Sequence, residues 1–388
     1  MIITTVVARP ATLPAGREPM SFLFVQIGTD VGVVGAGEAC DSYGCSYASV
    51  VAAVVEDVFA PLLLGQALVA VEPLVERLRL FTRRRLGDTW IAAQARSAVE
   101  LALWDLIGQE AGRSVSDVIG RVRDEVEVYA SSVFLEEGPA AFHVELLDPV
   151  LSQGVTKVKV RVGPDWEADL GILAELRAGL DQSVQIMVDG SEIFTLPTAM
   201  EVARRLHDLG VLWFEEPLPQ GARAGIETLG AASPVPLAYG EHLFGLDEAI
   251  DAMRRGQLQV LQPDASTCGG LAEGRRMAFA ASAFGVRVVP HVCAGPISLA
   301  ANLHLAATVP AIRLVEYPPS LADAWSTFGR GLELGPKEIV DGKLSVPDGP
   351  GLGIELDEDA LDRHPYRPPG DRVAGTVRGL PDRFVGDR

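Results

Sequence analysis

The spacing of apolar and polar residues changes along the chain and predicts three successive regions. Residues 1–40 hold three apolar runs typical of strands, IITTVVAR, SFLFVQI and GVVGAGE, and the turn GTDV predicts a hairpin between the last two. From about residue 45 to 111 the spacing is helical. In DTWIAAQARSAVELALWDLIGQEAG we expect Asp88 or Thr89 to cap the helix start and Gly112 its end. The first region is therefore predicted to be an α+β unit.

From about residue 125, short apolar runs alternate with amphipathic helical segments at regular spacing. The runs are EVEVYAS, TKVKVRV, VQIMVD, VLWFEE, PLAYGE, LQVLQPD, VRVVPH and IRLVEY. Eight strands separated by helices predict a parallel α/β barrel of the TIM type. A doubly wound open sheet is the alternative, and we rank it second because no GxGxxG follows a first strand.

The length of 388 residues fits a barrel of about 250 residues with a second domain of about 100. We expect a capping domain over 1–122, the barrel over 123–319 and a return segment over 320–388. The return segment is rich in Pro, Gly and Asp, which predicts that it packs on the capping domain and ends in a loosely ordered tail.

Charge and composition exclude several classes of partner. The formal net charge of −19 disfavours nucleic acids and anionic membranes, which bind basic surfaces. The long apolar stretch SVVAAVVEDVFAPLLLGQALVAV contains Glu56, Asp57 and Pro61 and is not a membrane span. Residues 1–10 lack signal-peptide features, so we expect a cytoplasmic protein. The cysteines have no CxxC spacing and are expected to be free thiols: Cys40, Cys45, Cys268 and Cys293.

Polar residues recur where the predicted barrel strands give way to loops. They are Lys159, Asp189, Glu215, Glu241, Asp264, His291 and Glu316. Strand ends of a barrel converge on one rim, and so many acids at one rim require a cation. Asp189, Glu215 and Glu241 offer only oxygen ligands, which suit Mg²⁺. Any single acid, Asp264 above all, could instead cap a helix, but the recurrence over six consecutive strands favours a site.

Two groups near this rim have the chemistry of bases. Lys157 and Lys159 are two of only four lysines among 33 basic residues, and their spacing points both side chains the same way. Mutual repulsion and a nearby Mg²⁺ would lower a lysine pKa, although an ordinary exposed pair is the alternative. Asp264 could orient His291. Two bases facing each other across a metal suit removal of a proton next to a carboxylate, where metal and cation neutralise the developing enediolate.

Taken together, these residues resemble the enolase superfamily, specifically the mandelate racemase subgroup, in which a lysine or histidine base works with Mg²⁺. The resemblance covers nearly the whole chain and implies a capping domain, a (β/α)7β barrel and a C-terminal return. KVK resembles the KxK motif, which implies that Lys159 is a base and that Lys157 binds or polarises the substrate carboxylate. The other implied roles are three metal ligands (Asp189, Glu215 and Glu241), the Asp264–His291 dyad, and Glu316 as the acid that hydrogen-bonds the enediolate.

Some positions depart from the family pattern or lie outside its motifs. Ser191 stands where the family often has Asn, and its hydroxyl could still reach the substrate α-hydroxyl. His242 either touches substrate or packs, and Glu216 is expected to be structural. Asp264 replaces the lysine of the lactonizing and dipeptide-epimerase subgroup, which disfavours that subgroup. Three residues of the loops 14–20 and 40–47 either contact the distal end of the substrate or have no role. They are Arg17, Tyr43 and Tyr47.

The leading functional hypothesis is a Mg²⁺-dependent acid-sugar (aldonate or aldarate) dehydratase, in which a base removes the C2 proton and protonated His291 helps expel the C3 hydroxyl. The alternative is a racemase or epimerase that uses Lys159 and His291 on opposite faces. A zinc hydrolase is disfavoured because the six histidines include no HxH pair. A non-catalytic barrel would have lost ligands that are all present here. The resemblance also implies a homo-oligomer.

Overall fold

The computed structural model describes residues 1–14, 20–39, 47–331 and 333–368. Its first element is an antiparallel sheet in the order β1-β2-β3, formed by β1 (Ile3–Leu13), β2 (Met20–Thr29) and β3 (Val34–Ala39). The three strands and the hairpin between β2 and β3 are as predicted. Gly32, with φ 81°, supplies the left-handed residue of that turn.

Helices pack on one face of this sheet. They are α1 (Ala48–Ala53), which continues through a π-helical turn (Val54–Phe59) into α2 (Ala60–Leu63), then α3 (Val71–Arg83) and α4 (Ile91–Ala111). The short helix α5 (Val115–Ile119) follows and contacts α4. Contact between α4 and β3 is close because glycines line the strand: a Cβ on Gly37 would lie 1.9 Å from the Ala98 carbonyl oxygen. The sheet and helices thus form the expected α+β capping domain.

The predicted end of α4 is confirmed, and its predicted start is wrong. Gly112 adopts the left-handed conformation after the last helical residue. At the other end the residue before the helix is Trp90, which has φ 46° and makes no side-chain cap. Asp88 does not cap the helix because its carboxylate pairs with Arg79 and Arg96.

The barrel consists of eight strands that correspond to the eight predicted runs. They are β4 (Glu125–Phe134), β5 (Lys157–Arg161), β6 (Gln185–Asp189), β7 (Phe214–Glu215), β8 (Leu237–Tyr239), β9 (Val260–Leu261), β10 (Arg287–Val288) and β11 (Leu314–Tyr317). Neighbours pair in parallel in the order β10-β9-β8-β7-β6-β5-β4-β11. The Glu316 amide donates to the Pro290 carbonyl (3.1 Å) and brings the two ends together. The barrel prediction is confirmed, and the open doubly wound sheet is excluded.

Helices follow the strands around the outside. They are α6 (Ala140–Leu151), α7 (Trp166–Gly179), α8 (Leu196–Asp208), α9 (Arg223–Ala232), α10 (Leu246–Arg254), α11 (Leu271–Phe284) and α12 (Pro296–Thr308). Outward-facing residues such as Val158 and Val160 belong to the core under these helices. The interior layer takes one apolar residue from each strand region except β5: Tyr129, Met187, Trp213, Ala238, Val260, Val289 and Leu314. On β5, the residue in register with Met187 is Lys159, which introduces a charge into this layer.

The return segment contacts both domains. It contains α13 (Ala322–Phe328), β12 (Gly329–Arg330), β13 (Lys343–Ser345), β14 (Glu355–Leu356) and α14 (Glu358–Arg363). On the capping side, Arg9 pairs with Glu358 (3.2 Å) and Asp362 (2.7 Å). In addition, β13 pairs antiparallel with the barrel strand β4, a contact that the composition does not indicate. The loose tail predicted at the end of the return segment stays a prediction, since residues 369–388 lie outside the described residues.

Three buried acids of the capping domain bind main-chain amides of the barrel or of the return segment. Glu38 accepts from Gly295 and Ser298 at the start of α12, and Glu100 accepts from Leu271 (2.8 Å) and Ala272 (2.9 Å) at the start of α11. Helix N-termini favour such negative charge.

The third acid, Asp105, accepts from Leu352 (2.8 Å) of the return segment. Burial raises the pKa of Glu38 to about 8, of Glu100 to about 7 and of Asp105 to about 6. These bonds place the capping domain next to the loops that follow the strands.

Two further findings concern sequence features. Cys268 and Cys293 are buried and form no disulfide within the described part of the chain, as predicted, and Cys40 and Cys45 lie outside the described residues. Among the helices of the described residues, none has the length and apolar character needed to cross a membrane.

Candidate active site

The carboxyl ends of the barrel strands bring most of the predicted residues together. Asp189 and Glu215 end β6 and β7 and are in register, and Glu316 lies within β11. Glu241, Asp264 and His291 follow the next three strands. The side chains of these residues are buried, except that Glu241 is partly exposed. Because the sheet is parallel, all these residues face one rim, where barrel sites are built.

A histidine with carboxylates on both ring nitrogens lies at the centre of this group. His291 Nδ1 is 3.0 Å from Asp264 Oδ2, and its Nε2 lies 3.3 Å from Glu241 and 3.9 Å from Glu316. Asp264 is itself held by Ser266 (2.7 Å) and Asn302 (2.9 Å). Burial lowers the His291 pKa, but Glu241 and Glu316 outweigh it and leave the pKa well above the ordinary value. The dyad therefore presents Nε2 toward the ring of acids.

Lys159 reaches the same ring from below and is completely enclosed. Its ammonium pairs with Glu215 and, at 2.9 Å, with Glu316, and the side chain has 0% exposure. Burial lowers the Lys159 pKa, but Glu215 and Glu316 raise it well above the ordinary value. The motif interpretation expects a lysine with a lowered pKa; in this arrangement the shift has the opposite direction because two carboxylates surround the ammonium.

The structure does not bring Lys157 to the ring. Lys157 is the first residue of β5, and its ammonium pairs with Glu127 near the start of β4. The carboxyl end of β5 is four residues away, about 13 Å along an extended strand. The expected contact of Lys157 with a substrate carboxylate is therefore corrected: the same strand direction that places both lysines on one face puts Lys157 at the opposite end of the barrel.

The residue of β5 that does face the rim is Arg161, which the motif interpretation passed over. Arg161 is in register with Asp189, and its Nε lies 3.4 Å from Asp189 Oδ2. Its side chain is 26% exposed, whereas Lys159 is sealed. The signal was available in the sequence, because positions 157, 159 and 161 share one strand face and Arg161 is the last of the three.

The chemistry of the ring fits a divalent cation. Asp189, Glu215 and Glu241 supply carboxylate oxygens from three successive strands, the donor type that Mg²⁺ prefers. Burial raises the Glu215 pKa, and Lys159 opposes that shift. With Asp264 and Glu316 added, five carboxylates face the permanent cations Lys159 and Arg161 among the described residues. A divalent cation would offset the excess negative charge.

A second group of ligand-type atoms lies beside this ring. Single ligand atoms of Glu192, Glu216 and His242 lie within 4.8 Å of one another, and His242 Nδ1 is 3.3 Å from each acid. His242 Nε2 is 3.9 Å from Glu241. Trp90, from the loop before α4, stacks on the His242 ring with centroids 4.9 Å apart. His242 therefore sits between acids and a capping-domain aromatic ring that the sequence analysis did not single out.

The remaining predicted substrate contacts have mixed outcomes. The Ser191 amide donates to Asp189 Oδ1 (2.7 Å), and its hydroxyl lies 3.3 Å from the same oxygen. Tyr47 precedes α1 and is 43% exposed. Arg17 and Tyr43 lie outside the described residues. Ser191 is thus at the rim, and the three capping-loop contacts stay predictions.

Comparison with known proteins gives the family. Residues 2–120 match the mandelate racemase / muconate lactonizing enzyme N-terminal domain, and residues 143–360 match the enolase C-terminal domain-like family. The chain belongs to the mandelate racemase group of the enolase superfamily. The family membership that the sequence predicts is therefore confirmed, and so is the fold that this membership implies.

Sugar-acid enzymes are among the relatives. The chain is 30% identical to arabinonate dehydratase of Saccharolobus solfataricus over 90% of this chain and 91% of that protein. It is 31% identical to D-galactarolactone cycloisomerase of Agrobacterium fabrum over 72% of this chain and 75% of that protein. A racemase from Streptomyces coelicolor, solved with bound magnesium, superposes with a TM-score of 0.84 at 26% identity and covers 94% of this chain and 100% of its own.

Proposed function

We propose that this enolase-superfamily member is a Mg²⁺-dependent sugar-acid dehydratase. The observation that carries the proposal is the Asp264–His291 dyad, whose Nε2 faces the ring built on Asp189, Glu215 and Glu241. Relatives named as dehydratases of arabinonate, gluconate and xylonate support the substrate class. The product expected from an aldonate is a 2-keto-3-deoxy acid.

The residues divide the work as follows. Mg²⁺ held by Asp189, Glu215 and Glu241 would polarise the substrate carboxylate and offset the charge that develops when the C2 proton leaves. Asp264 keeps the Nδ1 proton of His291 in place and orients Nε2. His291 Nε2 takes the C2 proton and then returns it to the C3 hydroxyl, which departs as water while C2=C3 forms, and the resulting enol becomes the ketone.

A cycloisomerase is the second candidate, because two relatives are named cycloisomerases. A ring oxygen on C3 would leave by the same proton transfer as a hydroxyl, and the product would be an isomer of the substrate. A racemase needs a second base on the opposite face of C2, and the Lys159 environment described above gives it less support.

The experiment is proton NMR in D₂O with Mg²⁺ against aldonates, aldarates and their lactones, with EDTA as control. Loss of the C2 proton signal, a new C3 signal from a CHD group, because one deuterium enters from solvent as the enol becomes the ketone, and loss of one water are expected for an aldonate. EDTA is expected to abolish all three. An isomer without loss of water would identify a cycloisomerase. A reaction that EDTA or His291→Asn leaves unchanged would contradict the proposal.

A further inference from the structure

One segment of this acidic chain is strongly basic. Residues 76–96, from the middle of α3 into α4, hold six arginines and two acids, whereas the whole chain has a formal net charge of −19. Arg83, Arg84 and Arg85 are the only three consecutive basic residues in the sequence, and all three are exposed. We refer to them as the arginine run. An anion therefore approaches this segment more favourably than it approaches the average surface of the chain.

An acid of the same segment pairs with two other arginines and leaves the arginine run unpaired. Asp88 accepts from Arg79 (3.3 Å) and Arg96 (2.5 Å). In the described part of the chain, no member of the arginine run forms an ion pair. Arg85 donates to the Phe81 carbonyl oxygen (3.0 Å) near the end of α3, and its guanidinium carbon lies 3.9 Å from the centre of the Phe81 ring. A favourable charge at a helix end accounts for one arginine, but not for three.

The segment that follows the arginine run leads directly to the candidate active site. Its Asp88 pairs with Arg79, one turn before the end of α3, and therefore folds the segment back along the helix. Two residues further on, Trp90 stacks on His242 with ring centroids 4.9 Å apart, and His242 Nε2 lies 3.9 Å from Glu241. The five residues from the arginine run to Trp90 span at most about 17 Å. The run is therefore close to the ring of carboxylates, at an edge where Trp90 is 42% exposed to solvent.

We propose that the arginine run is an electrostatic capture surface, which draws the anionic substrate from solution toward the ring. The inference rests on the proposed function, because that function makes the substrate an acid. A positive surface beside a site raises the local concentration of an anion, and the gain falls as salt screens the charges. Guanidinium groups keep their charge at any working pH, so the attraction is the same over the whole range in which a sugar acid is ionised.

The size of the attraction can be calculated from Coulomb's law. We place three positive charges at roughly 20 Å from a ligand with two negative charges, in water that contains about 0.01 M salt. Their removal then lowers the affinity about threefold. A ligand with one negative charge loses less than about twofold, so a dianion is the better probe. At about 1 M salt the Debye length is about 3 Å, and the contribution disappears.

The test measures binding of oxalate, a dianion, by calorimetry with the full-length protein at saturating Mg²⁺. The parent protein is compared with a variant that carries Arg83→Gln, Arg84→Gln and Arg85→Gln together. At about 0.01 M salt the variant is expected to bind oxalate at least about threefold more weakly. At about 1 M salt the two proteins are expected to bind it equally.

A second triple variant is the matched control. It carries Arg204→Gln, Arg205→Gln and Arg255→Gln, and so loses the same charge from three exposed arginines. These lie in the last turn of α8 and directly after α10, where the outer helices have returned to the amino ends of the strands. Its oxalate affinity is expected to equal that of the parent protein at both salt concentrations. An equal loss in both variants would overturn the inference, because net charge rather than the arginine run would then be responsible.

Three other results would also overturn the inference. Oxalate binding could be absent from the parent protein or unchanged in the arginine-run variant, or the loss could persist in full at about 1 M salt, which would indicate a direct contact or a folding defect. Sedimentation velocity checks the remaining explanation: a change of oligomeric state in this variant would show that the run contacts a second copy of the chain. Turnover of aldonates is measured separately. Absence of any reaction would count against the dehydratase proposal, while the oxalate comparison would still decide the role of the arginine run.

Discussion

Replacement of Glu38 by glutamine tests how the capping domain is held on the barrel. Glu38 has 0% exposure, and its carboxylate accepts from the Gly295 and Ser298 amides at the start of α12. Glutamine keeps one acceptor oxygen and turns an amide nitrogen toward the other N–H. At pH 5 we therefore expect Glu38→Gln to lower the free energy of unfolding by roughly 1–3 kcal/mol.

The pH dependence of this loss is the sharper part of the prediction. Burial raises the Glu38 pKa from 4.5 to about 8, so the folded protein holds a proton that the unfolded chain releases. The stabilisation from that proton is complete below pH 4.5 and disappears as the pH rises through 8. Its upper limit is roughly 5 kcal/mol, since each pKa unit corresponds to about 1.4 kcal/mol. The parent protein loses this contribution at high pH and Glu38→Gln does not, so the difference between them shrinks or reverses.

The assay is urea unfolding of both proteins at pH 5, 7 and 9. Glu227→Gln serves as the control, because Glu227 is 49% exposed and forms a surface ion pair with Arg255. Its effect is expected to be small at every pH. A penalty for Glu38→Gln that is the same at pH 5 and pH 9 would refute the reasoning, since it would mean that the buried carboxyl titrates as an exposed one does.

Three other substitutions follow from the structure. Gly37→Ala is expected to cost about 3 kcal/mol of stability in urea unfolding, because its Cβ would overlap the Ala98 backbone, whereas Gly171→Ala has open space and should not destabilise. Asp264→Asn is expected to lower kcat about 10²–10⁴-fold, because the Nδ1 proton of His291 loses its charged acceptor; a smaller effect would contradict the dyad. Lys157→Met should cost at most about 1 kcal/mol and leave oxalate affinity unchanged, and a loss of binding would restore the KVK interpretation.

The eight barrel strands could be predicted from the sequence because each is a short apolar run followed by a loop, and the rim acids could be predicted because they end those runs. The position of each side chain along its strand was harder to predict. Two lysines spaced two residues apart lie on the same face of a strand. Their distance from the carboxyl end of the barrel depends on where pairing with β4 and β6 begins. In the structure, Arg161 is opposite Asp189, two residues beyond the position assigned to the base.

Contacts between domains were harder to predict for a different reason. Glu38, Glu100 and Asp105 sit inside apolar runs of the capping domain, and nothing nearby in the sequence indicates their partners. Their partners outside the capping domain are main-chain amides more than 150 residues away, such as those of Gly295 and Leu271. The Trp90–His242 contact is likewise non-local and follows a backbone conformation that favours glycine. Local patterns predict elements, and such long-range bonds appear only when the elements are packed.

Because the barrel and the return segment offer main-chain amides to the three capping acids, they meet those acids at glycines. A Cβ would lie 2.4 Å from the Glu38 carboxylate at Gly295, 2.4 Å from Glu100 at Gly270 and 2.0 Å from Asp105 at Gly351. The interface therefore constrains one side to an acid and the other side to the absence of a side chain. A capping domain taken from a relative that keeps acids at the positions of Glu38, Glu100 and Asp105 should seat on this barrel without redesign of α11 or α12. Chimeras of this kind would exchange the loops near the rim, and with them the choice of acid, while the proton-transfer residues stay unchanged.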